Sequence, residues 1–363
     1  MKVTQFILKS IKQEKVDYVF LVPGGVTDPF LPEFGNEIGV QGIVAAHEAG
    51  AAYMAEGYAR ASRRFGVCMG IGGPGMANMV GPLAAAYADG SPVLAIAGEV
   101  PTDWEGRGGF QDASPAGLND ISFLQPVTNY AVQVPISELI PHHLNAALHS
   151  MLGIEMRPVC ISIPKQLQTE ELSETNLSPI SYLQETPRLL DRKAAADLAE
   201  AIQKSERTVI LAGNGAARSD ATDALIGLAE KYHIPVATTL RAKGVFPEDH
   251  PLSLGVFGYA GTPQATEALL QHENDLLLVL GSSLNQRDTM VWNKKLRPTH
   301  GIHQVDINPS VFDRNYPVDK RITSDIRELL QWLLKREDED FDQALQASKA
   351  VREAWVSQIR EKP

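Results

Sequence analysis

The chain contains 363 residues, a length that predicts two domains. Apolar residues make up 44% and charged residues 21% of the chain, so wholesale disorder is excluded. Asp and Glu number 44 against 33 Lys and Arg, and no basic cluster offsets the net charge of −11, so we expect no nucleic-acid partner.

The two cysteines, Cys68 and Cys160, lie in apolar runs, which predicts buried thiols rather than a disulfide framework or a metal site. The N-terminal residues lack the charged stretch and the long apolar run of a signal peptide. Every apolar stretch is interrupted well before the ~20 residues that a membrane span needs. We therefore expect a cytoplasmic protein without a membrane segment.

Residues 1–165 alternate short apolar strands with helices rich in small side chains. The predicted strands are Val16–Val22, Gly42–Ala46, Phe65–Ile71, Ser91–Ala97 and Val159–Ile163, and the predicted helices are Ala49–Ser62 and Met76–Asp89. Glycine-rich turns follow two of these strands, at 23–25 and 72–75. The repeated order of strand, turn and helix is typical of a parallel α/β sheet.

Residues 166–190 are polar, contain two prolines and show no period, which is typical of an interdomain linker. The α/β pattern restarts at Asp191. It predicts helices at Ala194–Gln203, Ala221–Tyr232 and Ile326–Lys335, and strands at Thr208–Ala212, Pro235–Thr239, Leu276–Leu280 and Ile302–Ile307. Residues 336–363 are charged and have a helical pattern.

The predicted fold class is therefore α/β, with two doubly wound, mostly parallel sheets. The first domain covers residues 1–165, a linker covers 166–190, a Rossmann-like domain covers 191–335 and a helical tail covers 336–363. In open parallel sheets, ligands bind beyond the carboxyl ends of the strands. The turns that follow the strands are thus the candidate sites.

Glu48 follows a predicted strand and opens a helix of small residues. From its position alone, it is either a carboxylate that interacts with the helix dipole or a functional group. The preceding His47 is either a structural histidine at a strand end or a proton shuttle. The segment 73–75, Gly-Pro-Gly, suits a tight turn as well as the close approach of a ligand.

Taken together in chain order, these segments resemble the thiamine-diphosphate-dependent enzymes, in particular their acetolactate-synthase-like branch. The matching segments of the first domain are VPGG at 22–25, AAHEAGAAYMAEGYAR at 45–60, GGPGMANMVGPLAAAYADGSPVLAIAGEVP at 72–101, GRGGFQDASPAG at 106–117 and ISIPKQLQ at 161–168. Those of the second domain are LAGNGAARSDA at 211–221, AKGVFPEDHPLSLG at 242–255, LLLVLGSSLNQRDT at 276–289 and QVDINP at 304–309. The resemblance covers nearly the whole chain and implies a pyrimidine-binding domain followed by a central domain.

The resemblance implies that Glu48 is the catalytic glutamate, which hydrogen-bonds the aminopyrimidine ring of thiamine diphosphate and assists removal of the proton from thiazolium C2. It also implies a set of residues that bind the cofactor: Pro23, Gly24, Gly25, Pro74, Asn78 and Gln111.

A substrate pocket is implied at Phe110, Gln111 and Lys165. Phe110 and Gln111 match a Phe-Gln pair that lines the pocket in acetolactate-synthase-like enzymes, and a core aromatic is the alternative for Phe110. Lys165 resembles a lysine at the mouth of the substrate channel, and a solvated linker lysine is its alternative. Glu99 stands where the family often has Gln, which adds a charge near the site.

The central domain of the synthases holds FAD. The residues implied for a nucleotide here are Gly213, Asn214, Gly215, Asn285, Arg287 and Asp306. A lone Gly-x-Gly is weak support, and many relatives keep this fold without a flavin. FAD and a vestigial or ADP-type site are thus alternatives.

The family's third domain holds Mg²⁺ and the diphosphate through a Gly-Asp-Gly followed by an Asn, and this sequence lacks that signature. The resemblance therefore implies that the Mg²⁺ ligands lie on a missing domain. Separately, no cluster of His, Cys and Asp in this sequence has metal-ligand spacing. A split enzyme, a fragment of a longer enzyme and a non-catalytic relative are the three explanations.

The resemblance thus implies part of a thiamine-diphosphate-dependent C–C lyase or carboligase that acts on a 2-keto acid. We expect a separate domain or subunit to complete it, in a homodimer or a heteromer. The alternative is a non-catalytic nucleotide-binding or regulatory subunit of such an enzyme.

Overall fold

The computed structural model describes residues 1–172, 189–270, 274–336 and 339–360, with side chains in the last range given for 348–359. The chain divides into two compact units, Met1–Thr186 and Pro187–Pro363. Each unit is built on a six-stranded sheet whose described strand pairs all run parallel. The predicted fold class, α/β with two doubly wound parallel sheets, is confirmed.

The first unit orders its strands β2-β1-β3-β4-β6-β5. The strands are β1 Tyr18–Leu21, β2 Gln41–Val44, β3 Gly66–Ile71, β4 Val93–Glu99, β5 Tyr130–Gln133 and β6 Val159–Pro164. The helices are α1 Val3–Gln13, α2 Glu48–Ser62, α3 Pro74–Asp89, α4 Asp120–Leu124, α5 Ile140–Met151 and α6 Lys165–Gln168. Because the strands run parallel, the turns that follow them lie along one edge of the sheet.

The small residues of α2 let this helix pack closely against β3. A Cβ at Gly66 would lie 1.9 Å from the carbonyl oxygen of Ala55. Ala51, Ala52 and Ala55 are buried on the side of the helix that meets the sheet. This close packing places the N-terminus of α2, and with it Glu48, at the carboxyl edge of the sheet.

The second unit orders its strands β12-β11-β10-β7-β8-β9. The strands are β7 Thr208–Ala212, β8 Val236–Thr238, β9 Ser253–Val256, β10 Leu276–Leu280, β11 Ile302–Asp306 and β12 Lys320–Thr323. The helices are α7 Arg192–Lys204, α8 Asn214–Arg218, α9 Thr222–Tyr232, α10 Pro263–Leu270, α11 Ile326–Lys335 and α12 Glu339–Arg360. Central strands β7 and β10 are buried at every residue, as expected for a sheet covered on both faces.

Every strand predicted from the sequence, and every helix predicted before the tail, is found within two residues of its predicted bounds. The predicted helical tail at 336–363 contains helix α12, Glu339–Arg360. One difference from the prediction matters for the site. Strand β4 continues past its predicted end at Ala97 to Glu99, which pairs with Pro164 of β6. Residues 173–188 of the predicted linker lie outside the described residues, and its start overlaps helix α6. No helix in the described ranges combines the length and the apolar composition of a membrane span.

Candidate functional site

The carboxyl edge of the first sheet gathers all the predicted residues of the first domain, because the strands that precede them are neighbours. The residues that follow β1, β2, β3, β4 and β6 are, in that order, Pro23-Gly24-Gly25, Glu48, Pro74 with Asn78, Phe110 with Gln111, and Lys165.

Glu48 is the first residue of α2, and its carboxylate is tied to the start of α3. Asn78 Nδ2 donates a hydrogen bond of 2.9 Å to Glu48 Oε2. The two helices approach closely here, since a Cβ at Gly75 would lie 3.6 Å from both Cγ and Oε1 of Glu48. The carboxylate is therefore held by Asn78 while Glu48 itself stays half-buried.

His47 precedes Glu48 and caps α2. Its Nδ1 accepts a hydrogen bond of 3.1 Å from the backbone amide of Ala49, and the residue is exposed. The capping bond satisfies one of the free amides at the helix N-terminus. It gives His47 a structural task at this position.

The turn after β1 is shaped by its glycines in two ways. A Cβ at Gly24 would lie 2.4 Å from Cγ2 of Ile71 on β3, whereas a Cβ at Gly25 would meet nothing within 4 Å. Thr27 closes the turn by donating through its amide to the Gly24 carbonyl over 2.8 Å. Gly24 is thus required for packing, and Gly25 leaves open space at the edge of the sheet.

Phe110 is 84% exposed, so it is not part of the core of this unit. The next residue, Gln111, has a φ of +62°, which is uncommon for a residue with a side chain and often marks a functional segment. Asp112 ties the segment together, because its carboxylate accepts hydrogen bonds from the Gly106 amide (2.7 Å) and the Ser114 hydroxyl (2.6 Å). The Phe-Gln pair therefore projects from an internally bonded loop.

Glu99 is the last residue of β4 and is fully buried, although the sequence places it in a turn. Its Oε1 accepts hydrogen bonds from the amides of Val100 (2.8 Å) and Ala113 (3.1 Å), and its Oε2 has no partner among the described residues. Burial raises the pKa of Glu99 to about 7, although the two backbone hydrogen bonds lower it. The charge predicted near the site is therefore only partly present at neutral pH.

Asp120 begins α4 and is a second fully buried carboxyl group. Burial raises the pKa of Asp120 to about 6, and the amides of Ile121 and Gly73 oppose the shift. Neither carboxyl oxygen makes a hydrogen bond of ordinary geometry to a described residue. Nothing in the local sequence predicts a buried carboxyl group here, because an acidic residue after Asn119 is typical of an exposed turn.

Lys165 lies at the same edge of the sheet, at the start of α6. Its Nζ is 3.8 Å from Asp28 Oδ2, and the side chain is partly exposed. An exposed ion pair of this length contributes little to stability. The amine thus remains accessible at the edge where the Phe-Gln segment lies.

In the second unit, adjacent strands β7 and β10 bring two glycine-containing turns together. A Cβ at Gly213 would lie 2.3 Å from the carbonyl oxygen of Gly281, and a Cβ at Gly281 would lie 2.5 Å from Cα of Gly215. The Gly215 amide donates to the Gly281 carbonyl over 2.9 Å. Close packing of the two backbones is therefore enough to explain why Gly213 and Gly215 are glycines.

Two of the other predicted nucleotide residues, Arg287 and Asp306, make side-chain contacts within the unit. Arg287 stacks 5.4 Å above the ring of Tyr259, and Asp306 Oδ1 accepts a hydrogen bond of 2.9 Å from the Asn308 amide. The carbonyl of Asn285 accepts from a threonine hydroxyl. Asn214 begins the short helix α8, and no three His, Cys, Asp or Glu side chains gather as a metal site anywhere in the described ranges.

Two family models match the chain. Residues 1–118 match the N-terminal TPP binding domain of thiamine pyrophosphate enzymes, and residues 195–333 match their central domain. Thiamine pyrophosphate, or TPP, is another name for thiamine diphosphate. These two matches fall on the first and second units described above.

Curated proteins similar to the chain include a probable acetolactate synthase large subunit of Methanocaldococcus jannaschii, which is 36% identical over 370 residues. The acetolactate synthase large subunits of Corynebacterium glutamicum and Lactococcus lactis are each 32% identical, over 371 and 335 residues. The alignments cover 99%, 98% and 92% of this chain but 59%, 57% and 56% of the relatives, in that order. The chain thus spans less than two thirds of their length. It belongs to the thiamine pyrophosphate enzyme family, of which it contains the N-terminal and central domains.

Proposed function

We propose that the chain is the pyrimidine-binding and central part of a thiamine-diphosphate-dependent lyase or carboligase that acts on a 2-keto acid. The observation that carries the proposal is the hydrogen-bonded pair of Glu48 and Asn78 at the carboxyl edge of the first sheet. The pair lies within the segment that matches the TPP binding domain. The similar proteins described above are named as acetolactate synthases, which supports the reaction class.

The chemistry of this edge suits an aminopyrimidine ring. Glu48 offers a carboxylate acceptor and Asn78 offers an amide, which together complement the donors and acceptors of the ring. Gly25 faces open space, so the backbone leaves room for a flat group. When bound, thiamine diphosphate supplies the electron sink for making or breaking a bond next to a keto group.

In this proposal, Glu48 shares a proton with a ring nitrogen of the pyrimidine and so acts as the acid–base residue. Asn78 fixes the orientation of the carboxylate from the neighbouring helix. The exposed ring of Phe110 and the amide of Gln111 then line the pocket for the acyl donor, with Lys165 at its rim.

We propose that the diphosphate and Mg²⁺ bind to a separate domain or subunit, in a homodimer or heteromer. Large apolar side chains around the candidate site support an interface: Phe110 is 84%, Val44 66%, Leu118 58% and Tyr53 53% exposed. Large exposed apolar patches mark association surfaces, and these four residues belong to the segments that carry the candidate site. A location in the cytoplasm is part of the same proposal.

Binding measurements with the purified chain, with and without a partner, test this proposal. The chain alone is expected to bind thiamine diphosphate weakly and to turn over no 2-keto acid, since most of the cofactor's charge lacks a partner. Addition of a diphosphate-binding partner, identified by mass spectrometry of complexes from the native source, is expected to restore both. Tight Mg²⁺-dependent binding by the chain alone contradicts the need for a second part.

Turnover with the partner also separates the two function classes. Absence of turnover with every 2-keto acid, despite cofactor binding, contradicts the enzyme proposal and favours a regulatory subunit. A flavin in the central domain is tested on the same sample, because bound FAD has a visible absorbance that an ADP-type nucleotide lacks. The packing of Gly213 against Gly281 gives no preference for FAD.

A further inference from the structure

We infer that Glu99 and Asp120 are positioning residues. Glu99 through its carboxyl group and Asp120 through its backbone amide hold the segment 100–119, which carries Phe110 and Gln111, against the Gly72–Gly73 turn, as long as the two buried carboxyl groups do not both carry a charge. The effect on catalysis rests on the proposed function, whereas the effect on the segment does not.

Both residues hold the segment at Ala113. The amide of Ala113 donates to Glu99 Oε1 over 3.1 Å, and its carbonyl accepts from the amide of Asp120 over 3.2 Å. Ala113 is itself buried. Glu99 at the end of β4 and Asp120 at the start of α4 thus hydrogen-bond to the amide and to the carbonyl of the same residue, Ala113.

The turn after β3 packs directly on this arrangement. A Cβ at Gly72 would lie 2.9 Å from Glu99 Oε2 and 3.2 Å from the Ala113 methyl group. The Gly72 amide already donates to the Gly98 carbonyl over 2.7 Å, so it is committed elsewhere. Gly73, the next residue, caps α3, the helix that carries Asn78. Glu99 therefore links the Phe-Gln segment to the helix that orients Glu48.

The surroundings of the two carboxyl groups disfavour a double negative charge. Glu99 Oε2 lacks a hydrogen-bond partner among the described residues, and the backbone amides near Asp120, those of Ile121 and Gly73, only partly offset the burial of its carboxyl group. An ionised oxygen without a donor in a buried site is costly. Protonation of one group relieves that cost and removes the repulsion between them.

The charged and titratable neighbours all act in the same direction. Besides burial, the charges of Asp120 and Asp112 raise the pKa of Glu99. The pKa of the nearby Cys160 thiol is raised by burial first, and then by Asp120 and Cys68. No cation is among the charges that act on Glu99 or Asp120 within the described residues. Among the described residues, no cation therefore offsets the negative charge that forms when Glu99 and Asp120 lose their protons at higher pH.

The expected consequence is that the segment opens as the pH rises. The pKa of Glu99 is about 7 in the closed arrangement against an ordinary 4.5, so opening to solvent releases protons. By linkage, the ratio of open to closed segment rises about tenfold between roughly pH 6 and pH 8.5 from Glu99 alone.

Hydrogen exchange of the amides in 103–119, measured by mass spectrometry on the full chain, tests the inference. Glu99→Gln keeps an acceptor for both amides and cannot ionise. Comparing parent and variant at the same pH removes the intrinsic pH dependence of exchange. The parent-to-variant ratio of exchange rates is expected to rise about tenfold between roughly pH 6 and pH 8.5.

Asp103→Asn is the matched control, because it removes an exposed carboxylate from the same segment, and its ratio is expected to stay constant. Asp120→Asn provides a second variant. It removes one of the two buried charges while Glu99 still ionises, so its ratio is expected to rise in the same direction but by less than that of Glu99→Gln. Ratios that are constant with pH for both buried-site variants overturn the inference, whether or not the chain is an enzyme. In the complete enzyme, kcat/KM is expected to fall above about pH 7 in the parent but not in Glu99→Gln. If the segment opens as the pH rises but kcat/KM does not fall, the two residues still position the segment. The segment then has no role in the proposed reaction.

Discussion

Asn78 donates a hydrogen bond of 2.9 Å to Glu48 Oε2 and thereby joins the first turn of α3 to the first residue of α2. The two residues are 30 positions apart in the chain. They meet because β2 and β3 flank β1 in the sheet and end at the same edge. A carboxylate at the start of a helix is common. At Glu48, however, the hydrogen bond from Asn78 on a second helix fixes the orientation of the carboxylate.

Glu48→Gln is expected to slow activation of the cofactor in the complete enzyme by about 10²–10⁴-fold, because glutamine keeps the size of glutamate but not its acid–base function. Exchange of the thiazolium C2 proton, followed by NMR, measures this step. Glu56→Gln, the same change on the same helix, is the matched control and is expected to leave exchange unchanged. Equal exchange in Glu48→Gln and the parent would make Glu48 a structural helix-start carboxylate.

Asn78→Ala is expected to lower kcat/KM of the complete enzyme about tenfold, the effect of removing one hydrogen bond to a charged group. Asn78→Asp is expected to lower it further, since it places a second negative charge beside Glu48. In a Glu48→Gln background, the cost of Asn78→Ala should largely disappear, because the two residues act as a unit. Additive effects in this double-mutant cycle contradict the coupling.

Glu99→Gln is expected to change how stability depends on pH. Folding raises the pKa of Glu99 from 4.5 to about 7, so the stabilising contribution of its neutral form is complete below pH 4.5 and is lost as the pH rises through 7. Between roughly pH 5 and pH 8, the parent should therefore lose about 2 kcal/mol relative to Glu99→Gln. Urea unfolding at the two pH values measures the difference, and parallel changes in both proteins would count against it.

Arg352→Met is expected to destabilise the second unit by about 3 kcal/mol. The buried guanidinium of Arg352 donates to the carbonyls of Tyr232 (2.8 Å), Ile202 (2.9 Å) and Ser205 (2.6 Å), which lie at or next to the ends of α9 and α7. Methionine fills similar space but donates no hydrogen bond to these carbonyls. Thermal or urea unfolding measures the loss, and Lys349→Met on the same helix should stay within about 0.5 kcal/mol of the parent.

Gly213→Ala is expected to destabilise the second unit by about 2 kcal/mol, because the new Cβ would lie 2.3 Å from the Gly281 carbonyl. The measurement is urea unfolding without any nucleotide. Gly57→Ala is the matched control, since a Cβ there meets nothing within 4 Å in the middle of α2, and it is expected to be neutral or stabilising. Unchanged stability in Gly213→Ala would show that packing does not require glycine at this position, which favours a role in ligand binding.

Part of the fold of this protein can be predicted from local sequence alone. Continuous apolar runs such as Leu276–Leu280 predict central strands, because a strand covered on both faces must be apolar at every position. Edge strands β5, β9 and β12 escape prediction for the converse reason. They are partly exposed and lack such a run.

The motif around Glu48 is also local, and so the family and the place of the candidate site could be predicted from the sequence. The state of the charges around that site could not. Glu99 is buried by Gly72, Ala113 and Asp120, which are distant from it along the chain, and its last strand pairing is made by Pro164. Because the pKa of a carboxyl group depends on which groups surround it in space, only the tertiary structure decides that Glu99 and Asp120 form a buried acidic pair beneath the Phe-Gln segment.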